Sequence, residues 1–162
     1  MDINLTPTRT LDFGIAYEIA NTTEIFEAFT EDGAPDYMPD VVNEYWVLMI
    51  TENGSVAGAY RLKSILARTV EIHAFMLPEY RNDYSKLSGV RILEWCLDNL
   101  DFDKITTVIP QLYKNIYHFT KAMGFKEEGF NRSSFLKDGK LHGMYCMGIT
   151  KQEIIESLEV LK

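Results

Sequence analysis

The hydrophobic pattern runs at a period of two through most of the first half of the chain and shifts to helical spacing after Arg81. Residues 11–19 alternate, with Phe13, Ile15 and Tyr17 on one face, and predict a first strand. Asn21-Thr22-Thr23-Glu24 sets an N-cap residue three positions before a glutamate, which predicts a short helix through Phe29. Residues 31–42 contain Asp32-Gly33, Pro35 and Pro39 and predict a loop or broken helix. Residues 45–50 and 56–65 flank the turn Glu52-Asn53-Gly54-Ser55, a hairpin signature, and residues 69–77 form the next strand.

Beyond Arg81, Leu87, Val90, Leu93, Glu94 and Leu97 fall at helical spacings, with Trp95 and Cys96 widening the apolar stripe. Residues 105–109 are short and apolar between Asp103 and Pro110, as a buried strand would be. Residues 115–123 predict a second helix ended by Gly124. Residues 125–136 and 141–149 pair across the Asp138-Gly139 turn. Thr150-Lys151-Gln152-Glu153 is a capping box that opens a last helix.

Composition narrows the class. A chain of 162 residues with 46% hydrophobic and 25% charged residues fits one globular domain over residues 1–162. No apolar run approaches the roughly 20 residues that span a bilayer, and no secretory signal opens the chain, so no membrane partner is expected. The two cysteines, Cys96 and Cys146, sit in apolar segments and read as reduced core residues, which suits the cytoplasm. The three histidines offer no metal-ligand spacing, so no metal site is expected. A net charge of −8 leaves no basic stripe for nucleic acid and suits a cationic amine or simple solubility.

The candidate chemistry lies at the end of the strand over residues 69–77. Glu71 and His73, two residues apart, share one face, with Ile72 and Ala74 on the other. An acid beside an imidazole at the carboxyl end of a strand suits general acid–base work. A hydrogen-bonded, half-buried histidine beside a solvated glutamate fits the same residues.

The element order, together with Leu77-Pro78-Glu79-Tyr80-Arg81 and Ala122-Met123-Gly124-Phe125-Lys126-Glu127-Glu128-Gly129, resembles the GCN5-related N-acetyltransferase (GNAT) superfamily over most of the chain. The resemblance implies an α/β (α+β) fold. Its sheet would be mixed and mostly antiparallel, of about seven strands, splayed in the middle and flanked by helices. It implies acetyl-CoA as the cofactor, an amine as the acceptor and direct acyl transfer between them. The cofactor contacts it implies are Phe75, Met76 and Leu77 for the pantetheine arm, Arg81, Asn82, Asp83, Tyr84, Ser85 and Lys86 for the pyrophosphate, and Asn115 on the later helix. Glu71 through a water, or His73 directly, would take the amine's proton. The Phe75 N–H would meet the thioester oxygen, and Tyr117 would act as the acid. Asp36 and Tyr37, in the loop where the family builds its acceptor pocket, would meet a polyamine, an aminoglycoside or a lysine side chain. The small frame also resembles acetyltransferase-like proteins of bacteriophages; a homodimer is one of the oligomeric states left open.

The chain departs from the family pattern twice. The family loop reads Gln/Arg-x-x-Gly-x-Gly/Ala, whereas Arg81-Asn82-Asp83-Tyr84-Ser85-Lys86 has no glycine. A shifted register, Lys86-Leu87-Ser88-Gly89, offers one, and Asp83 also fits as a helix N-cap. The family's late-helix tyrosine is replaced by Thr120 and its early asparagine by Tyr113, with Tyr117 one turn before Thr120. Tyr113 and Tyr117, four apart, equally fit an aromatic stripe on the sheet. Loss of the glycines and of the tyrosine also suits a non-catalytic protein that keeps the fold for binding or virion assembly.

Overall fold

A short polar stretch, Leu5–Thr10, forms the first strand, β1, as an edge against β2 (Tyr45–Thr51), where Pro7 is tolerated. The structure, a computed structural model, describes residues 2–162. The sequence pattern placed the first strand at residues 11–19, but that stretch is mostly helix α1 (Phe13–Ala20). Asp12 caps it by accepting from the Ile15 N–H at 3.3 Å, and Ala16, Ile19 and Ala20, at helical spacing, are its buried residues. The alternation of Phe13, Ile15 and Tyr17 falls on the more exposed side. Helix α2 (Thr23–Phe29) follows, flanked by Thr22 rather than capped by Asn21. The Asn21 side chain instead ties the following loop down, donating to the Tyr17 and Tyr37 carbonyls and accepting from the Tyr37 N–H.

The remaining elements are β3 (Val56–Leu66), β4 (Thr69–Met76), α3 (Arg81–Asn99), β5 (Lys104–Pro110), α4 (Lys114–Ala122), β6 (Lys126–Lys137), β7 (Lys140–Thr150) and α5 (Lys151–Leu161). The strands form one seven-stranded sheet in the order β1-β2-β3-β4-β5-β7-β6. Every pairing is antiparallel except β4 with β5, which is parallel and lasts three residue pairs, Thr69/Lys104 to Glu71/Thr106. This is the mixed, centrally splayed sheet flanked by helices that the resemblance implied.

Two cores cover its faces. Leu62, Val70, Ile72, Ile105 and Ile149 pack on one face with α3 and α5 through Leu93, Cys96, Ile154 and Leu158. Trp46, Leu48, Ala59 and Phe75 pack on the other with α1 and α2. Each fully buried side chain of this size stabilises by about 1.5–3 kcal/mol. Gly58 lets β3 press on β4, since a Cβ there would lie 2.5 Å from the Phe75 carbonyl oxygen and 2.7 Å from Met76 Cα. Gly124, at φ +105°, ends α4 in the left-handed region. Among the described residues no helix is long and apolar enough to cross a membrane, and both cysteines are free.

The capping box of α5 is formed: the Thr150 side chain accepts from the Glu153 N–H and the Glu153 carboxylate accepts from the Thr150 N–H. Thr150→Ala should therefore cost about 1 kcal/mol. The urea midpoint should fall at an unchanged slope.

Candidate active site

The parting of β4 and β5 beyond Glu71 leaves a gap in the middle of the sheet, and the cavity lies there. Its volume is about 890 Å³, inside the range of about 300–1,000 Å³ usual for small-molecule sites. Both faces of the sheet contribute. His73 and Phe75 line it on the α2 side, and Ile72 and Met76 on the side of α3.

Backbone groups of β4 also face the gap. The Leu77 N–H donates to the Ala57 carbonyl at 2.9 Å, and mutually bonded pairs recur every second residue in an antiparallel ladder. Phe75 opposite Ala59 and His73 opposite Arg61 thus turn their N–H and C=O toward β3. Ala74 and Met76 turn theirs toward the gap. The Arg81 Nε donates to the Met76 carbonyl at 3.0 Å, from the gap side. The cleft-facing N–H donors at this end of β4 are accordingly those of Ala74 and Met76, not that of Phe75.

Glu71 and His73 are joined to one another, Glu71 Oε1 lying 3.2 Å from His73 Nε2. Arg61, opposite His73 on β3, stands 3.4 Å from Glu71 Oε1 and donates from Nε to Glu44 at 3.0 Å. Trp46 Nε1 donates to Glu44 as well. Arg61 and Glu44 keep only 12% and 9% of their side-chain surfaces exposed, so removing one partner would strand a charge. The bond from His73, helped by the charge of Arg61, holds the Glu71 carboxyl below its ordinary value against the opposing effect of burial. Glu71 is therefore an ionised anchor, and the ring nitrogen that bonds it leaves Nδ1 of His73 free. His73 lines the cavity; Glu71 stands behind it.

The residues assigned to the pyrophosphate loop take a different form. A 3-10 turn, Pro78–Tyr80, runs straight into α3, so residues 82–86 are helical rather than a loop. With no glycine to hold an open loop, Arg81-Asn82-Asp83-Tyr84-Ser85-Lys86 continues the helix, and its N–H groups past the first turn are used within it. Arg81, Asn82 and Ser85 line the cavity, as does Asn115. Asp83, Tyr84, Lys86 and Leu77 do not. Tyr84 instead donates to Glu52 at 2.6 Å, and Asp83 is not the cap, since Tyr80 precedes the helix without a side-chain bond.

Tyr117 also lies away from the cavity. Its ring packs on Tyr145 at 4.4 Å and its hydroxyl donates to Glu127 at 3.2 Å, as an aromatic stripe residue would. Thr120 lines the cavity but donates to the Ile116 carbonyl within its own helix. Tyr113 lines it too, its hydroxyl donating to the Glu27 carbonyl of α2 at 3.3 Å, and burial raises its pKa.

The acidic loop after α2 is engaged elsewhere. Asp36 accepts from the Tyr17 hydroxyl at 2.6 Å, and Asp40 accepts from Asn43. Tyr37 packs among Phe29, Trp46 and Phe75 with its ring over Arg61, outside the cavity lining, and burial raises its pKa. Asp32 accepts from the N–H groups of Asp138 and Gly139 at 2.9 and 2.8 Å, and Glu31 accepts from that of Leu136. With the Asp32 N–H donating to the Leu136 carbonyl, these bonds latch the loop after α2 to the β6–β7 turn.

Sequence reasoning missed Arg61, Glu44 and the latch. Arg61 is set opposite His73 by the β3–β4 register, which passes through an irregularity between Ser64 and Leu66 and has no Asn-Gly or Asp-Gly turn to announce it. The latch joins residues more than a hundred positions apart, and no local pattern signals it.

Residues 9–160 match the family described as "Protein of unknown function (DUF2824)". The protein p31 of Acyrthosiphon pisum secondary endosymbiont phage 1 is 21% identical over 143 residues, covering 85% of this chain and 92% of p31. Among solved structures, spermidine N-acetyltransferase from Vibrio cholerae in complex with CoA and spermine aligns with a TM-score of 0.77 at 17% identity, over 94% of this chain and 98% of that one. The Vibrio cholerae spermidine/spermine N-acetyltransferase with manganese ions aligns at 0.76 and 18%, over 94% and 95%. At such identity the likeness is one of fold, and that fold is GNAT-like.

Asp32 supplies a test of the latch. The Gly139 and Asp138 N–H groups hold its carboxyl below its ordinary 3.8. A depressed folded pKa gives a contribution fully present above about pH 3.8 and lost as pH falls through the folded value. Protection of the Asp138 and Gly139 amides from hydrogen exchange should weaken on that acid limb, and Asp32→Ala should remove it at neutral pH.

Proposed function

The chain belongs to the DUF2824 family, and from its GNAT fold and the geometry of its cleft we propose that it transfers an acetyl group from acetyl-CoA directly to an amine. The observation that carries this reading is the unpaired edge of β4 at Ala74 and Met76 beside the His73–Glu71 pair. Acetyl-CoA supplies the activated acyl thioester. Its pantetheine arm would pair with that edge as an added strand, sharing the Met76 carbonyl with Arg81 or releasing the guanidinium toward the phosphates. Asn82, Ser85 and Asn115 line the cavity and would be further polar partners for the cofactor.

His73 is the base in this reading and Glu71 its anchor. Nδ1 of His73 takes the proton from the amine nitrogen as the new C–N bond forms. The cleft-facing N–H groups of Ala74 and Met76 carry the negative charge that develops on the carbonyl oxygen. When the C–S bond breaks, the imidazolium returns the proton to the thiolate. The cycle closes without Tyr117, whose hydroxyl is turned to Glu127.

A second reading keeps the fold without catalysis, for a binding or virion-assembly role. It draws on the helical course of residues 82–86 and on the phage source of p31. A bacteriophage origin for this chain is part of both readings.

Acetyl-CoA at a hundredfold excess over its dissociation constant should stabilise the protein by about 2.7 kcal/mol. No heat and no thermal shift at millimolar cofactor would hand the chain to the second reading. With an acceptor in hand, His73→Ala should lower turnover about 10²–10⁴-fold at nearly unchanged CoA affinity. Glu71→Gln should act more mildly. Full activity in both variants would move the base elsewhere.

A further inference from the structure

The cavity carries cations and apolar walls but no carboxylate: among its lining residues the charged or titratable basic groups are His73, Arg81 and Lys114, and neither Asp nor Glu lines it. The half on the α2 side is walled by Ile25, Phe29, Phe75, Pro110, Phe135 and Met144, with His73 at its inner end. The strand registers put these side chains together. Pro110 pairs with Met144, and Phe135 with His142, two residues from Met144 on the same face. The loop acids that would serve a polycation are bound elsewhere, Asp32 to the β6–β7 turn, Asp36 to Tyr17, Asp40 to Asn43 and Glu44 to Arg61.

We propose that the acceptor is an arylalkyl monoamine, its ring in this apolar half and its nitrogen at His73, and not a polyamine. The proposal rests on the acetyl-transfer reading above and gives its substrate class. Glu71, 3.2 Å behind His73, compensates one ammonium as it arrives and loses its proton. A polyamine brings further ammonium groups into walls with no anion, where an unpaired buried charge costs far more than apolar contact returns. Three phenyl rings, of Phe29, Phe75 and Phe135, favour an aromatic body through edge and stacking contacts. In the transfer the ammonium first releases one proton to solvent; the neutral amine's C–N bond then forms, the thioester C–S bond breaks, and a second proton passes through His73 from nitrogen to sulfur.

Calorimetry with 2-phenylethylamine and with spermidine, each with and without acetyl-CoA, tests this. The arylalkylamine should bind about tenfold or more tightly than spermidine. Met144→Glu, near-isosteric at a partly exposed site, should invert that order by placing a carboxylate in the wall, with a thermal melt to check folding. Spermidine binding as tightly as 2-phenylethylamine would overturn the proposal. So would binding of neither amine to a protein that does bind acetyl-CoA, while leaving the transfer reading in place. If acetyl-CoA gives no heat but 2-phenylethylamine still binds and Met144→Glu weakens it, the transfer reading falls and the assignment of the apolar half stands.

Discussion

Parallel pairing between β4 and β5 lasts only from Thr69 to Glu71, and the rest of the molecule is arranged around its failure. A sheet that loses its ladder in the middle leaves N–H and C=O groups without strand partners, at a cost unless something satisfies them. Helices α2, α3 and α4 close over the gap and turn it into a cavity. Arg81 satisfies one freed carbonyl, that of Met76. The others, at Ala74 and Met76, are the groups that an extended ligand would meet. The split thus creates the hydrogen-bonding edge and the space beside it at once.

The charged groups on β3 and β4 depend on the same split for their role. Glu44, Arg61, Glu71 and His73 form a chain of contacts across the sheet face, and only its last member reaches the cavity. An internal cation shared by two carboxylates holds both in place and fixes Glu71 as the partner that orients an imidazole. The fold thereby separates two neighbouring titratable residues into an anchor and an exposed nitrogen. Two residues apart on one strand, they are chemically distinguished by what stands behind them.

The first departure from the family pattern has its physical origin at the start of α3. Glycines in that loop would hold backbone N–H groups open for a polyanion; without them Arg81–Asn99 is helical from its first residue. Side chains at the cleft, Arg81, Asn82 and Ser85, then stand where a glycine-lined cradle would have offered backbone. Acids in the loop after α2 are likewise used for internal bonds, and none of them lines the cavity.

The amino-acid sequence by itself determined the elements whose signals are local. The Asn53-Gly54 and Asp138-Gly139 turns, the Thr150–Glu153 capping box, Gly124 after α4 and the period-two run through Glu71 and His73 each act within a few residues, and each formed as read. The first strand misled because Phe13, Ile15 and Tyr17 alternate by chance on the outer side of a helix whose buried positions, Ala16, Ile19 and Ala20, are small or few. Tertiary structure alone decided which way Tyr117 and Asp36 turn, that Arg61 and Glu44 stand behind Glu71, and that Asp32 clasps the β6–β7 turn. Those choices are made between residues far apart in the chain. Each polar side chain had several partners of similar strength within reach in sequence terms, and only the packed sheet selects one.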